Sequence, residues 1–379
     1  MFKTAFKFIK YDKSKSIGVI IGIIISIFLI GQQIGILGFL TGLMGGIVDN
    51  SRKDIGQIWV VDNITQNANE LGKLDDRLVR ELRSIEGVEN SYPVVAANCL
   101  VKFTNGKTAS VLLIGSEAPL FIAGPNQSKI NKGDLENLAL EGSVSAEYFD
   151  EKTFDNSVEI GNRVEINGKE AFIRLQTKNA RGFGGSFFYT TLSKARYYGN
   201  FPENKVSAIA IKVKDGYDIS SVVNNINSKI YGIKAWDAEE LRKSTVSFIT
   251  VSSNIGTSIG SLVIFAIISG FFIIGLTLYS SALDRIKDYG TLKAIGATNS
   301  YVRNLILLQS FIFALIGFSI AFLLLNGFKN GVAEAGLVIN YSTVEILGLF
   351  LITVFISVGG SFFAIKKINS VEPASVFRG

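Results

Sequence analysis

The residue types that most often carry chemistry are scarce in this chain. It holds no histidine and a single cysteine, Cys99. A Cys–His nucleophile pair, a structural zinc site and an intramolecular disulfide are thereby excluded. Cys99 reads as a small buried residue, with an intermolecular bridge as the alternative. The stretch GKTAS, Gly106–Ser110, resembles the end of a phosphate-binding loop. That motif needs a glycine five residues before Gly106, and Val101 stands there. Asn105-Gly106 reads instead as a hairpin tip. The scattered Asp and Glu form no recognisable pair and read as solvated surface. No catalytic constellation, metal site or cofactor site emerges, so a non-catalytic chain is expected.

Two stretches are left that could bind something. RGFGGSFF, Arg181–Phe188, is glycine-rich but follows no strand-to-helix pattern. It reads as a flexible loop, and Arg181, Phe183, Gly184 and Phe187 are its candidates for an outer partner; a plain turn is the alternative. DYGTLKAIGATNSYV, Asp288–Val302, lies between two strongly apolar runs. Ser281–Lys287 can continue the preceding helix, and Gly290 is expected to interrupt it. Thr291–Ile295 can form a further helical turn, Gly296 fits a helix stop, and Asn299 or Ser300 can cap the next helix. The result is a helical elbow. Leu292, Ala294 and Ile295 give it an apolar strip beside Lys293, and Arg285, Lys287, Asp288 and Thr291 complete it. Such an element suits docking in a groove of another protein; a plain connecting turn is the alternative.

The elements around these stretches follow from composition. The chain has 379 residues, 48% of them hydrophobic, and a mean hydropathy of +0.35. That combination marks a membrane protein with a sizeable polar part. The net charge of +6 does not point to nucleic acid, because many lysines flank apolar runs, as membrane anchors do. Four uncharged runs stand out: 16–48, 244–283, 304–328 and 346–365. Each is long enough for a transmembrane helix, and the first two can project beyond the bilayer as stalks. The first is too long for a cleaved signal peptide and lacks a convincing cleavage site. Gly18/Gly22, Gly31/Gly35 and Gly38/Gly42 are spaced for close helix approach. Lysines and arginines cluster in residues 1–15, in the 284–303 connection and in the 366–379 tail, while 329–345 is nearly balanced. The positive-inside rule then puts both termini and the elbow in the cytoplasm of a multi-pass protein of the inner (plasma) membrane, and 49–243 outside. In residues 1–15, Phe2, Phe6 and Ile9 repeat at helical spacing beside Lys3, Lys7 and Lys10. This predicts an amphipathic helix on the bilayer; a disordered basic tail is the alternative.

The outer segment is long enough for a domain. Strands are predicted at Gln57–Asp62, Val94–Phe103, Ser110–Gly115, Val206–Val213 and Gly232–Trp236, and helices at Leu74–Ser84 and Ile219–Ile230. Two βαβ-like pieces thus bracket a β-rich insertion, about 117–204, with an Asn167-Gly168 hairpin signal. The expected fold is four transmembrane helices plus an α+β extracytoplasmic domain with a β-rich insertion.

The stretch DRIKDYGTLKAIGATNSYVRNLILLQS resembles the cytoplasmic signature of the FtsX-like, MacB-type ABC permease family. The ending SVEPASVFRG, Ser370–Gly379, resembles that family's C-terminal tail. The layout of one span, an outer domain and three spans matches as well. Family members often carry an acidic residue followed by Ile or Met and Gly in the elbow; here Asp288-Tyr289-Gly290 stands in. Length, tail and the lack of a fused ATPase look most like the DevC branch. The resemblance implies a homodimer whose elbows bind a separate ABC ATPase subunit. ATP is bound and hydrolysed by that partner, and the motion is carried to the outer domains. It also implies a membrane-fusion adaptor, with or without an outer-membrane channel. The alternatives are Lol-type lipoprotein release, FtsX-like regulation of cell-wall hydrolases, and a membrane-anchored sensor unrelated to ABC systems.

Overall fold

The computed structural model describes residues 2–11 and 13–369. The tail Ser370–Gly379 and Asp12 lie outside the described residues, as do the side chains of Lys3 and Thr153. Along the chain come α1 (Phe2–Tyr11), α2 (Lys13–Met44), α3 (Gly46–Asp49), β1 (Ile58–Asp62), β2 (Leu74–Asp75), α4 (Arg77–Leu82), β3 (Val88–Lys102) and β4 (Thr108–Ser116). Then follow β5 (Ile130–Lys132), β6 (Ser143–Glu147), α5 (Asp150–Phe154), β7 (Arg163–Ile166), β8 (Lys169–Thr177), β9 (Ser186–Thr191), α6 (Leu192–Gly199), β10 (Lys205–Val206) and β11 (Ala208–Val213). The last elements are α7 (Ile219–Lys229), β12 (Ile233–Asp237), α8 (Ala238–Ser252), α9 (Ile255–Asp284), α10 (Ile286–Ala294), α11 (Asn299–Ala333) and α12 (Thr343–Asn369). The chain forms two compact units, residues 40–254 and residues 1–39 with 255–379.

In the first unit, β12, β1, β11 and β3 lie side by side in that order, each antiparallel to its neighbour. Because β11 separates β1 from β3, and β1 separates β11 from β12, each strand–helix–strand piece is split by a strand of the other. This is the split βαβ arrangement of ferredoxin-like folds. Residue alternation in β1 explains why its sequence is almost wholly apolar. Ile58 and Val60 point to α4 and α7, among Leu82, Val222 and Ile226. Trp59 and Val61 point to the other face, among Ile47, Val48 and Leu241 of α3 and α8. The insertion is a continuation of the same sheet. β3 runs for 15 residues, and its second half pairs with β4. β4 then pairs in parallel with β9, and β6 with β8. Val95, Ala97, Cys99 and Val101 of β3 share a core with Val144, Ile173 and Phe188. One long strand thus serves both lobes, and the core built by the insertion takes in β3 from Val95.

Local expectations fared unevenly here. The Asn105-Gly106 tip lies in the connection between β3 and β4, and Asn167-Gly168 joins β7 to β8 with both residues at positive φ, 49° and 80°. The helix expected at Leu74–Ser84 is shorter, because Leu74–Asp75 pairs with β10 instead. The strand expected at Val206–Val213 is broken at Ser207, whose hydroxyl takes the Ala96 N–H at 2.9 Å.

In the second unit, α2, α9, α11 and α12 are each long and apolar enough to cross a membrane. α9 starts only at Ile255: the run expected as one helix from 244 is interrupted at Asn254, φ 56°, and its first part belongs to α8. The glycines on α2 act where a neighbour comes close. A Cβ on Gly31 would lie 2.4 Å from Leu325 Cδ1, and one on Gly22 2.9 Å from Ile273 Cγ2. Gly42 meets nothing within 4 Å among the described residues. α12 begins with a capping box: Glu345 accepts from the Ser342 N–H at 2.6 Å, and Ser342 Oγ accepts from the Glu345 N–H at 3.3 Å.

Candidate functional site

The elbow is a short helix clamped at both ends. It begins after a change of direction at Arg285 (φ −102°, ψ 17°), and α10 then runs without a break through Gly290. The expected interruption at Gly290 is absent: Tyr289 and Gly290 are the buried residues of α10, so the glycine belongs to the packed face. At the other end Gly296 (φ 103°) stops the helix. The Gly296 N–H bonds to Lys293 O at 3.0 Å and the Ala297 N–H to Leu292 O at 2.9 Å. These are the paired bonds of a Schellman stop, which needs the left-handed residue that glycine supplies. Thr298, rather than Asn299 or Ser300, caps α11, its hydroxyl accepting the Tyr301 N–H at 3.2 Å.

Several side chains hold α10 in place. Arg285 is only 7% exposed, with its guanidinium 5.0 Å from the Phe8 ring and 5.3 Å from the Tyr11 ring of α1. The Tyr289 ring lies 5.5 Å from the same Phe8, and burial pushes its phenol up to about 12. Lys293 Nζ donates to Ile368 O at 2.8 Å and Asn369 O at 3.5 Å, setting a cation on the last carbonyls of α12. Its ammonium is held below the ordinary lysine value by burial. Leu292 is half-buried against the bundle core. Lys287, Asp288, Thr291, Ala294 and Ile295 stay exposed, and Ile295 is 77% exposed. The apolar strip is therefore divided: Leu292 faces in, while Ala294 and Ile295 face out.

α1 is a helix as expected, but its faces are assigned differently. Ala5 is fully buried, and Phe8 and Ile9 pack against the bundle core; Phe2 and Phe6 are exposed. Ile9 thus leaves the expected lipid-facing stripe. Phe8 and Tyr11 were not singled out from sequence, and Tyr289 only within Asp288-Tyr289-Gly290; Phe8 and Tyr11 are far from Arg285 along the chain, so no spacing pattern brings them together.

The 178–185 loop is anchored, not free. Fully buried Glu147 accepts from Thr177 Oγ1 at 2.8 Å, the Asn179 N–H at 2.6 Å and the Ala180 N–H at 2.9 Å. Arg181 O accepts from Asn50 Nδ2 at 3.1 Å, and a Cβ on Gly46 of α3 would lie 2.4 Å from that oxygen. The Arg181 guanidinium lies 4.9 Å from the Phe149 ring. Phe187 is buried in the domain core, Phe183 is half-buried, and Gly184 is exposed at φ 88°. Beside this loop Asp150 is 3% exposed, and its Oδ2 has no hydrogen-bond partner among the described residues. Burial pushes its carboxyl up to about 7; the Ser186 hydroxyl and Arg181 oppose the rise and Glu147 adds to it. α3 is also tied to α8 by Arg242 Nε, 2.8 Å from Asp49 Oδ2, while Lys53 of the following connection lies 2.7 Å from Asp49 Oδ1.

Residues 16–229, more than half of the chain, match the MacB-like periplasmic core domain, and residues 260–373 match the FtsX-like permease C-terminal domain. Two uncharacterized ABC transporter permeases of Methanocaldococcus jannaschii are similar. MJ1507 is 25% identical over 60% of this chain and 59% of its own length. MJ0797 is 27% identical over 79% of this chain and 77% of its own. Among solved structures, the periplasmic region of MacB from Actinobacillus actinomycetemcomitans is 12% identical, with a TM-score of 0.39 over 51% of this chain and 94% of that one. The extracellular domain of the ABC-type transporter YknZ from Gram-positive bacteria is 13% identical, with a TM-score of 0.35 over 47% and 98%.

Proposed function

Since the chain belongs to the MacB/FtsX family of ABC transporter permeases, we propose that α10 is the surface on which a separate ATPase subunit docks. In this reading the chain is a membrane subunit without catalysis of its own. A homodimer of it passes the ATPase's motion to the 49–243 domain for export. The partner on the outer side is a membrane-fusion adaptor of the kind used in the DevC branch. Both termini and the elbow lie in the cytoplasm, and the lysines and arginines around α1 and α10 support that orientation.

One observation carries the reading. Ile295, a large aliphatic residue, is 77% exposed at the tip of a helix whose other face is fixed by Arg285, Tyr289, Leu292 and Lys293. A rigid helix end that presents an aliphatic side chain loses little entropy on docking. Replacing Ile295 by Asp would put an unpaired charge into that contact. Such a charge costs on the order of a few kcal/mol, enough to weaken binding a hundredfold or more. Ile295→Asp is expected to abolish pull-down of the partner ATPase. Ile64→Asp, at an equally exposed isoleucine of the other unit (83%), is expected to leave it intact. Equal recovery of the ATPase by Ile295→Asp and the unaltered chain would sink the docking site.

A further inference from the structure

We propose that α1 is a sensor for anionic phospholipid, and that its state is passed to the elbow through the stack of Phe8 and Tyr11 on Arg285. The exposed side of α1 has the chemistry of an anionic bilayer surface. Phe2 and Phe6 are 64% and 52% exposed, Lys7 and Lys10 are exposed beside them, and Lys13 follows at the start of α2. α1 itself holds no acidic residue. One residue, Asp12, separates it from a helix apolar enough to cross the membrane, so it is held at the headgroup level whichever side that is. Apolar rings beside lysines at that depth fit lipid, with acyl chains for the rings and phosphates for the ammonium groups. An acidic protein would satisfy the lysines but leave Phe2 and Phe6 without an apolar partner.

The inward side of α1 meets the elbow through half-buried Phe8, while Tyr11, although 85% exposed, keeps its ring 5.3 Å from the Arg285 guanidinium. Phe8 and Tyr11 flank the Arg285 guanidinium, Tyr289 meets Phe8, and Ser16 Oγ donates to Ile9 O at 3.0 Å. Lys15 pairs with Asp284, the last residue of α9. A change in how α1 lies on the bilayer must therefore move Arg285, the residue from which α10 starts. The inference rests on the membrane-spanning reading of the four helices and needs no ATPase, so its failure would leave the docking reading standing.

The test uses the full chain with Cys99→Ala, carrying a nitroxide on Phe2→Cys or on Ile295→Cys. It is placed in nanodiscs of phosphatidylcholine alone or of equal phosphatidylcholine and phosphatidylglycerol. Each lysine near an anionic surface contributes about a fivefold factor, so three give roughly a hundredfold preference for the docked helix. Phosphatidylglycerol is expected to drive the Phe2 label deeper and to narrow the mobility range of the Ile295 label. Lys7→Gln/Lys10→Gln/Lys13→Gln should remove both responses. Arg285→Lys, and separately Phe8→Leu, should keep the Phe2 response and lose the Ile295 response. Identical spectra in the two lipids overturn the sensor. An Ile295 response that survives both Arg285→Lys and Phe8→Leu overturns the link to the elbow.

Discussion

Asp150→Asn should change how the stability of the α+β unit depends on pH. The Asp150 carboxyl is pushed up to about 7 in the folded unit, against an ordinary value of 3.8. Between those values the folded chain holds one proton more than the unfolded chain. Stability therefore falls as pH rises through this window, and above about pH 7 the loss is complete. The gap corresponds to ~4 kcal/mol, and the fit is sensible for a carboxylate oxygen that is buried without a partner. Asn has the shape of the protonated acid and cannot ionise. The variant should match the natural chain near pH 4 and outlast it progressively up to pH 7, by roughly 10 °C in melting temperature. Both tryptophans, Trp59 and Trp236, lie in this unit, so their fluorescence follows its unfolding in the full-length chain. Other groups also shape each curve, so the quantity to read is the difference between the two melts at each pH. If that difference stays constant from pH 4 to pH 8, Asp150 does not keep its proton in the folded state and the reasoning fails.

Gly46→Val would place a Cβ 2.4 Å from the Arg181 carbonyl, a backbone atom that cannot step aside alone. It should destabilise the same unit by about 1–3 kcal/mol, while Gly42→Ala, with open space around it, leaves the tryptophan melt unchanged. The Cys99 thiol is buried and pushed up to about 11 by that burial, so a maleimide should label it only after denaturation; rapid labelling of the native chain would contradict its placement. Lys293→Met removes the donor to Ile368 O and Asn369 O and about 0.3–1 kcal/mol of favourable charge at a helix end. Amide exchange in the last turn of α12 should rise about two- to fivefold, with α11 unchanged; no change would mean that the contact does not hold the helix end.

What the sequence makes legible here is what is local. Span lengths follow from uncharged runs, because a bilayer sets one length for all of them. Gly296 announces a helix stop because few other residues take its φ of 103° at no steric cost. Gly290 shows the limit of the same logic. A glycine within a helical run reads as a break, but here tertiary packing of Tyr289 and Gly290 holds the helix together. The interruption at Asn254 is hidden for the opposite reason: the run from 244 to 283 is uniformly uncharged, and asparagine is among the few residues that tolerate left-handed backbone. Where one core passes to the next is not legible, because β3 serves two cores and a strand of 15 residues carries no mark between them. Asp150 and Glu147 had no sequence signal, since their environment is assembled from β6, β8, β9 and the loop between the last two.

The composition of the elbow now has a physical reading. Arg285, Tyr289, Leu292, Lys293 and Gly296 recur every one to four residues, and each is used to fix the helix: on α1, on the bundle core, on the end of α12, or in the stop itself. Lys287, Asp288, Thr291, Ala294 and Ile295 occupy the intervening positions and remain exposed. A plain turn would need neither set. The fixing set lowers the entropy that a partner would otherwise have to remove on docking, and it leaves the exposed set to decide which partner that is. A change in the first set should therefore weaken every partner alike, and a change in the second should alter preference between them. The departure at Asp288-Tyr289-Gly290 from the family's usual pattern falls on both. Tyr289 lies against the Phe8 ring and belongs to the fixing set, whereas Asp288 is exposed and belongs to the other.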